Sequence, residues 1–378
     1  MRMLIITVTA GNGHNATASA VEESLRARGG DVVVLDMYKY ISRVLYNVVD
    51  KGYRFSIKHM PRSFGNAYAS AERHEIPRRV LGILNSNRFL ANRLADFLKD
   101  YQPELIITTH VFAAQVLDTL KRQGFLDVPV MGVITDYCIH PFWETVPTVE
   151  YIVTASKRLT YTAQRKGIDE ARILPLGIPV AAKFRHRMDQ GEARRKLGLY
   201  PDKTTVLIMG GSMGFGNMLR NVIQIDRMGM DYQLVCVCGA NKKLYQKLSR
   251  QKTKSAFHVQ GFTNQVDVYM DAADCIVTKP GGLTVSESLA KGLPMVLTSP
   301  IPGQEERNAN FLLNSGAAVL ADKHFSLSEA VHYVLESPGR LELMRQAIAL
   351  IANPHAAEEI SRFAMELGGR GDVSEGAV

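Results

Sequence analysis

TKPGGLTVSESLAKGLPMVL, residues Thr278 to Leu297, holds the end of one strand, a glycine turn, a helix and the next strand in a single short stretch. Strands that alternate with helices in this way predict a parallel sheet with helices on both of its faces. Gly281 and Gly282 let the backbone approach a ligand closely, Thr284 lies at the start of the helix, and Glu287 sits one turn further in.

The same alternation runs through the chain. The first half has MLIITVT, a helix over about Ala16 to Arg28, DVVVLD, ELIITTH, a helix near Ala113 to Gln123, and VPVMGVITD; the second has TTVLIMGG, YQLVCVCG, AFHVQGF, CIVTKPGG and PMVLTS. A chain of 378 residues exceeds what one hydrophobic core usually organises. The expected fold class is therefore α/β, with two doubly wound Rossmann-like domains facing a cleft. The proline-rich, charge-poor LPLGIPVAAKF (Leu174 to Phe184) and the charged RHRMDQGEARRKLGL after it set the boundary, giving domains 1–180 and 181–378. The last helix, about 356–368, is expected to pack back on the first domain. Each domain has a glycine-rich turn after its first strand, at Gly11 to Gly13 and at Gly210 to Gly216. Ligands of such domains bind at the carboxyl ends of the strands.

With 46% apolar and 22% charged residues, the balance is that of a globular chain and excludes a disordered one. The net charge of +8 implies an anionic partner: nucleic acid, a phosphorylated small molecule or an acidic membrane. Cys138, Cys236, Cys238 and Cys275 form no CxxC pair, which points to a reducing compartment. No signal peptide or membrane-spanning run is legible, so membrane contact is expected to be peripheral. One segment suggests such contact. From Met37 to Ala95, eleven Lys and Arg face three acids and are interleaved with aromatic residues. Within it Ile41, Leu45, Val48, Gly52 and Phe55 fall on one helical face, with Arg43, Lys51, Arg54 and Lys58 mostly elsewhere. That pattern fits either a membrane-surface helix or one packed on its own sheet.

IMGGSMGFGN (Ile208 to Asn217) follows a strand and opens a helix. Gly210 and Gly211 permit a tight turn, Ser212 offers a hydroxyl, and the helix N-terminus suits a diphosphate; the alternative is a plain structural turn. Glu287 is placed either to accept both ribose hydroxyls or to complement the helix dipole. Gln304, Glu305 and Asn308, behind Pro300 and Pro302, suit sugar hydroxyls or ordinary helix capping. Gly261 and Phe262 end another strand, where a flat base finds a surface. In TVTAGNGHNATAS (Thr7 to Ser19) the glycines bring His14 to the start of a helix.

GNGH, GGS, PGGLTVSE, PGQEERNA and VITDYCIHPFW (Val133 to Trp143) together resemble the GT-B glycosyltransferases that use UDP-sugars. The likeness is greatest to the diacylglycerol glucosyl- and galactosyltransferases, with the peptidoglycan lipid I N-acetylglucosaminyltransferase more distant, and it extends over nearly the whole chain. The resemblance implies that Ser212 and the amides around Gly211, Met213 and Gly214 hold the UDP diphosphate, assisted by Gly282 and Thr284. It implies Glu287 on the ribose, Phe262 beside the uracil, and Gln304, Glu305 and Asn308 on the hexose. His14 matches the family's acceptor-side histidine, flanked by Gly13 and Asn15, and is the expected catalytic base. Asp136 and His140 are placed near the acceptor, tuning His14 or competing with it as base, with His140 alternatively a turn residue before Pro141; Trp143 packs on an acyl chain or sugar or, the favoured reading, in the core.

The implied reaction is an inverting transfer of a hexose from UDP-glucose or UDP-galactose to the 3-hydroxyl of 1,2-diacylglycerol in an anionic membrane, at its cytoplasmic face and possible in repeated rounds. No nucleic acid and no cofactor enter this reading, and the absence of a DxD triplet gives no cause to invoke a metal. Alternatives are an enzyme of UDP-GlcNAc, either a lipid I transferase or a 2-epimerase, and a non-catalytic nucleotide-sugar sensor.

Overall fold

Met3, Leu4, Ile5 and Ile6 are completely buried, which explains why the first strand reads as an unbroken apolar run rather than as an alternation. The computed structural model describes residues 1–9, 12–43, 46–48, 51–52, 55, 60–73, 78–214 and 216–369. Gly11, Leu45, Arg54 and Lys58 of the sequence reading lie outside the described residues.

The chain forms two units, one of Met1–Ala181 with Pro302–Gln304 and the chain from Asn353 on, the other of Ala182–Ile301 and Glu305–Ala352. In the first, β1 (Arg2–Thr7), β2 (Asp31–Asp36), β3 (Leu105–Thr108), β4 (Val130–Val133), β5 (Tyr151–Val153) and β6 (Ile173–Leu174) form one sheet. Its order is β2-β1-β3-β4-β5-β6. All neighbours are parallel, with Ile5 opposite Val34 on one side and Ile107 on the other. In the second unit, β7 (Thr204–Met209), β8 (Tyr232–Val237), β9 (Ala256–Gln260), β10 (Cys275–Thr278), β11 (Met295–Thr298) and β12 (Ala318–Ala321) form a parallel sheet of order β12-β11-β10-β7-β8-β9.

Each order contains a reversal. The chain leaves β1 for β2 on one side and later places β3 on the other, and it likewise leaves β7 for β8 and later places β10 on the opposite flank. Loops leaving the two strands at such a junction run to opposite faces and open a crevice between them. The crevice-forming loops are thus those after β1 and β3 in one unit, and after β7 and β10 in the other.

The first core joins Met3, Ile5, Val21, Leu105, Met131 and Val153 to Ile360 and Ala364 of the C-terminal helix Ala356–Gly369. The second joins Val206, Ile208, Leu234, Val277 and Val296 to Val331 and Val334 of helix Leu327–Leu335. All four cysteines are buried, and none is in a disulfide. The Met37 to Ala95 segment contributes helices Met37–Ile41 and Pro61–Glu72 and most of Arg78–Tyr101. Tyr38 and Tyr68 are buried, whereas Val48 and Phe55 are 63% and 56% exposed. Among the described residues, no helix is long and apolar enough to cross a membrane.

Candidate active site

Helix Gly13–Ala27 begins three residues earlier than the sequence pattern suggests, which puts His14 in its first turn at the crevice between β1 and β3. The His14 Nδ1 lies 2.6 Å from the Thr109 carbonyl oxygen and 3.1 Å from Thr135 Oγ1. A carbonyl only accepts, so the proton is assigned to Nδ1 and the Nε2 lone pair is left available. Burial lowers the His14 pKa to about 4, against the opposing pull of the Thr109 bond. The ring is a neutral base throughout the physiological range. The His110 ring meets it edge-on, with centroids 4.5 Å apart.

Gly13 opens the helix that carries His14, and Asn15 braces the turn: its Oδ1 accepts from Thr7 Oγ1 and its Nδ2 donates to Thr9 Oγ1, both at 2.9 Å. Thr9 in turn donates to Asp36. The hydrogen bonds on His14 thus come from Thr109 and Thr135, while Asp136 Oδ2, next along the chain, accepts from Gln304 Nε2 at 3.3 Å. His140 Nδ1 accepts from Phe142 N at 3.2 Å, starting the 3-10 turn Pro141–Thr145, and its ring packs edge-on against Tyr68. Of the two readings of Trp143, the structure supports the core. The residue is 4% exposed, and its ring occupies the space a side chain at Gly132 of β4 would need, 2.3 Å from an ideal Cβ. The indole fills the core there and is closed to an acceptor.

In the second unit, the loop after β7 turns at Gly211, Gly214 and Gly216, each with positive φ. Gly214 N donates to Gly211 O at 3.0 Å, and the Ser212 carbonyl accepts from Ala240 N at 2.9 Å. Asn241 Nδ2 donates to the Gly214 carbonyl at 3.1 Å, so the loop after β8 braces the turn from behind. Ser212 is exposed and Met213 half-buried. Helix Met218–Asp226 follows with no side-chain cap at Asn217. Its leading amides are donors suited to an anion.

Gly214 tests this turn. A Cβ there would lie 2.2 Å from the Cys238 carbonyl oxygen, and φ is +59°. The left-handed conformation alone costs an L-residue about 1–2 kcal/mol. Gly214→Ala is expected to lower Tm and to weaken UDP binding about 10-fold or more, read by thermal melts and calorimetry; unchanged affinity would remove the turn from the donor site.

Beyond β10, the helix Gly282–Ala290 is N-capped by Gly281 without a side-chain bond, and Gly282 is buried at its start. The Glu287 carboxyl makes no hydrogen bond with a described residue, and burial raises its pKa to about 8 against the nearby Lys183 charge. A polar group held this way lacks a partner that a ligand can provide. Phe262, just past β9, is 67% exposed. Thr284 is half-buried in the first turn of the helix.

Two side chains from SPIPGQEERNA serve the scaffold. Glu305 Oε1 pairs with Lys279 Nζ at 2.6 Å and its Oε2 accepts from Ile301 N at 2.9 Å, which occupies both oxygens. Asn308 is 0% exposed and donates from Nδ2 to the Pro280 carbonyl at 2.9 Å. Full burial speaks against the expected contact of Asn308 with the hexose; one amide hydrogen ties helix Gln304–Asn314 to the turn before Gly281. Lys279 itself escaped the sequence reading. It directly follows β10, with its stem beside Gly216, whose ideal Cβ would be 3.9 Å from its Cγ, and its ammonium on Glu305. Its signal was available: a lysine directly before a glycine turn at a strand's carboxyl end.

Residues 14–180 match the family model of monogalactosyldiacylglycerol (MGDG) synthase, and residues 205–360 match that of the glycosyltransferase family 28 C-terminal domain. A processive diacylglycerol beta-glucosyltransferase of Bacillus pumilus is 28% identical over 371 residues, covering 95% of this chain and 93% of the relative. Among solved structures, Acinetobacter baumannii MurG aligns with a TM-score of 0.63 at 15% identity, over 97% of this chain and 99% of that one. The spinosyn rhamnosyltransferase SpnG, in complex with thymidine diphosphate, aligns with a TM-score of 0.65 at 15% identity, over 96% and 100%. The fold is GT-B, two parallel six-stranded α/β sheets. The chain belongs to the MGDG synthase and family 28 glycosyltransferases.

Proposed function

We propose that the protein transfers a hexose from UDP-glucose or UDP-galactose to the 3-hydroxyl of 1,2-diacylglycerol, with inversion, as a peripheral enzyme at the cytoplasmic face of the membrane. The observation that carries this reading is the His14 ring, whose Nδ1 is fixed by the Thr109 carbonyl so that Nε2 is a free base. Nε2 takes the acceptor's hydroxyl proton as its oxygen bonds to the anomeric carbon; the bond from that carbon to the phosphate oxygen breaks, and UDP leaves with the electron pair. In the second unit, the amides of the Gly211 to Gly214 turn, the Gly282 helix start and Lys279 neutralise the departing diphosphate. Glu287 accepts from the ribose, Thr284 assists at the phosphates and Phe262 borders the base. Gln304 serves the hexose, and Glu305 positions Lys279 for the diphosphate.

The acceptor assignment is supported by the Bacillus pumilus relative, a diacylglycerol beta-glucosyltransferase, and by the exposed Val48, Phe55 and Met60 within a basic segment. Apolar side chains beside Lys and Arg match the interface of an anionic bilayer. Incubation with liposomes containing diacylglycerol and either UDP-sugar is expected to give monohexosyl-diacylglycerol, detected by mass spectrometry, with dihexosyl product if transfer repeats. Intact UDP-sugar after incubation across a panel of acceptor lipids would overturn the proposal.

A further inference from the structure

His110 is given no task in the reaction above, yet it is one of the nearest side chains to His14. It lies two residues past β3 and caps helix Val111–Arg122, where its Nδ1 accepts from Phe112 N at 3.1 Å. That bond consumes the Nδ1 lone pair, so the ring is neutral with its proton on Nε2. A second proton would have to displace the helix cap, at the positive end of a helix dipole. The ring is only 8% exposed and stands edge-on against His14 at 4.5 Å. It covers ground that water would otherwise occupy.

We infer that His110 is a positioning residue, an uncharged imidazole wall that excludes water from His14 and so keeps that ring a free base. The inference rests on the reading of His14 as the base. Among the described residues, few other groups bear on the His14 ring. The end of β3 brings the Thr109 carbonyl, and the segment after β4 brings the Thr135 hydroxyl. Asp136 follows on that segment and bonds Gln304, and His140 lies further along it, acting on His110. The electrostatics agree with the geometry. Burial holds the His110 pKa well below the ordinary imidazole value, and the neighbouring His14 and His140 lower it further. His14 therefore titrates beside a neutral ring, and loss of solvent is the largest cause of its own depression.

Two substitutions separate the wall from the cap. Asn is a good helix N-cap, so His110→Asn keeps an acceptor for Phe112 N but opens the space to water. His110→Phe keeps a ring and gives up the cap. The His14 titration is followed by NMR of histidine-labelled protein, its signal assigned by loss in His14→Gln, together with the pH profile of kcat/KM. In His110→Asn the His14 midpoint is expected to rise by at least about one pH unit toward the ordinary value of about 6.5, and the acid limb of activity to move with it. In His110→Phe the midpoint is expected to hold while Tm falls. An unmoved midpoint in the Asn variant, or an equal rise in both, would overturn the inference. A midpoint that rises while the acid limb stays would uphold the wall and remove His14 as the base. Should the Asn variant be too unstable to study, His110→Ser, which also caps, gives the same reading.

Discussion

His14→Ala is expected to reduce transfer by about 10²–10⁴-fold, the usual worth of a positioned general base, while leaving UDP affinity unchanged. The two readouts divide because of where the groups reside. His14 contacts Thr109, Thr135 and His110, all in the first unit, whereas the loops proposed to hold the diphosphate belong to the second. A depressed pKa of about 4 adds a pH signature. The base is deprotonated above that value, so activity should persist to the acid side of an ordinary histidine's titration and fall only as pH approaches 4. Transfer by the Ala variant within a few-fold of wild type, measured on diacylglycerol liposomes, would eliminate His14 as the base. Melting at the wild-type temperature would show that the loss is chemical rather than structural.

Glu287→Ala is expected to weaken UDP binding about 100-fold. Two ribose hydroxyls donating to one carboxylate are charge-assisted bonds worth about 1.5–3 kcal/mol each, so losing the pair reaches that scale even after water replaces part of it. The raised pKa, about 8, makes the binding pH-dependent in a definite direction. Without ligand the carboxyl is mostly protonated at pH 7; the ribose hydroxyls favour the ionised form, so binding should release a proton. Affinity should therefore strengthen as pH rises toward and through 8. Calorimetry in buffers of different ionisation enthalpy reads the released proton directly. Glu287→Gln should abolish both the proton release and the pH slope, and an unchanged UDP affinity in the Ala variant would take Glu287 out of the ribose site.

The alternation of strand and helix, the glycine turn after β7 and the positions of His14 and Glu287 along their helices were legible in the sequence, because β-branched runs and φ-positive glycines leave local marks. Three strands were not. β5 (YIV), β6 (IL) and β12 (AVLA) span two to four residues, too short for periodicity to separate them from loops, and their neighbours in the sheet supply what propensity does not. Helix starts were read late for a related reason. The cap at Val111–Arg122 is a histidine, outside the usual set of capping residues, and at Gly13–Ala27 no side-chain cap exists.

Side-chain partnership was the least legible level. Asn308 has the chemistry of a ligand-binding residue, and only the packing shows it fully buried and bonded to the Pro280 carbonyl. Thr109, Thr135, His110 and Lys279 reach the candidate site through strand order, which brings residues 95 and 121 positions apart into contact with His14.

The return of the C-terminal helix to the first sheet bears on the order of events during synthesis. Ile360 and Ala364 complete a core whose other members lie between Met3 and Val153, yet the ribosome delivers them after the entire second sheet. Residues 182–301 and 305–352 can close around their own core as they emerge. The amino-terminal half must meanwhile wait with an apolar groove uncovered, a vulnerable interval for a chain whose Met37 to Ala95 segment is basic and rich in aromatic residues.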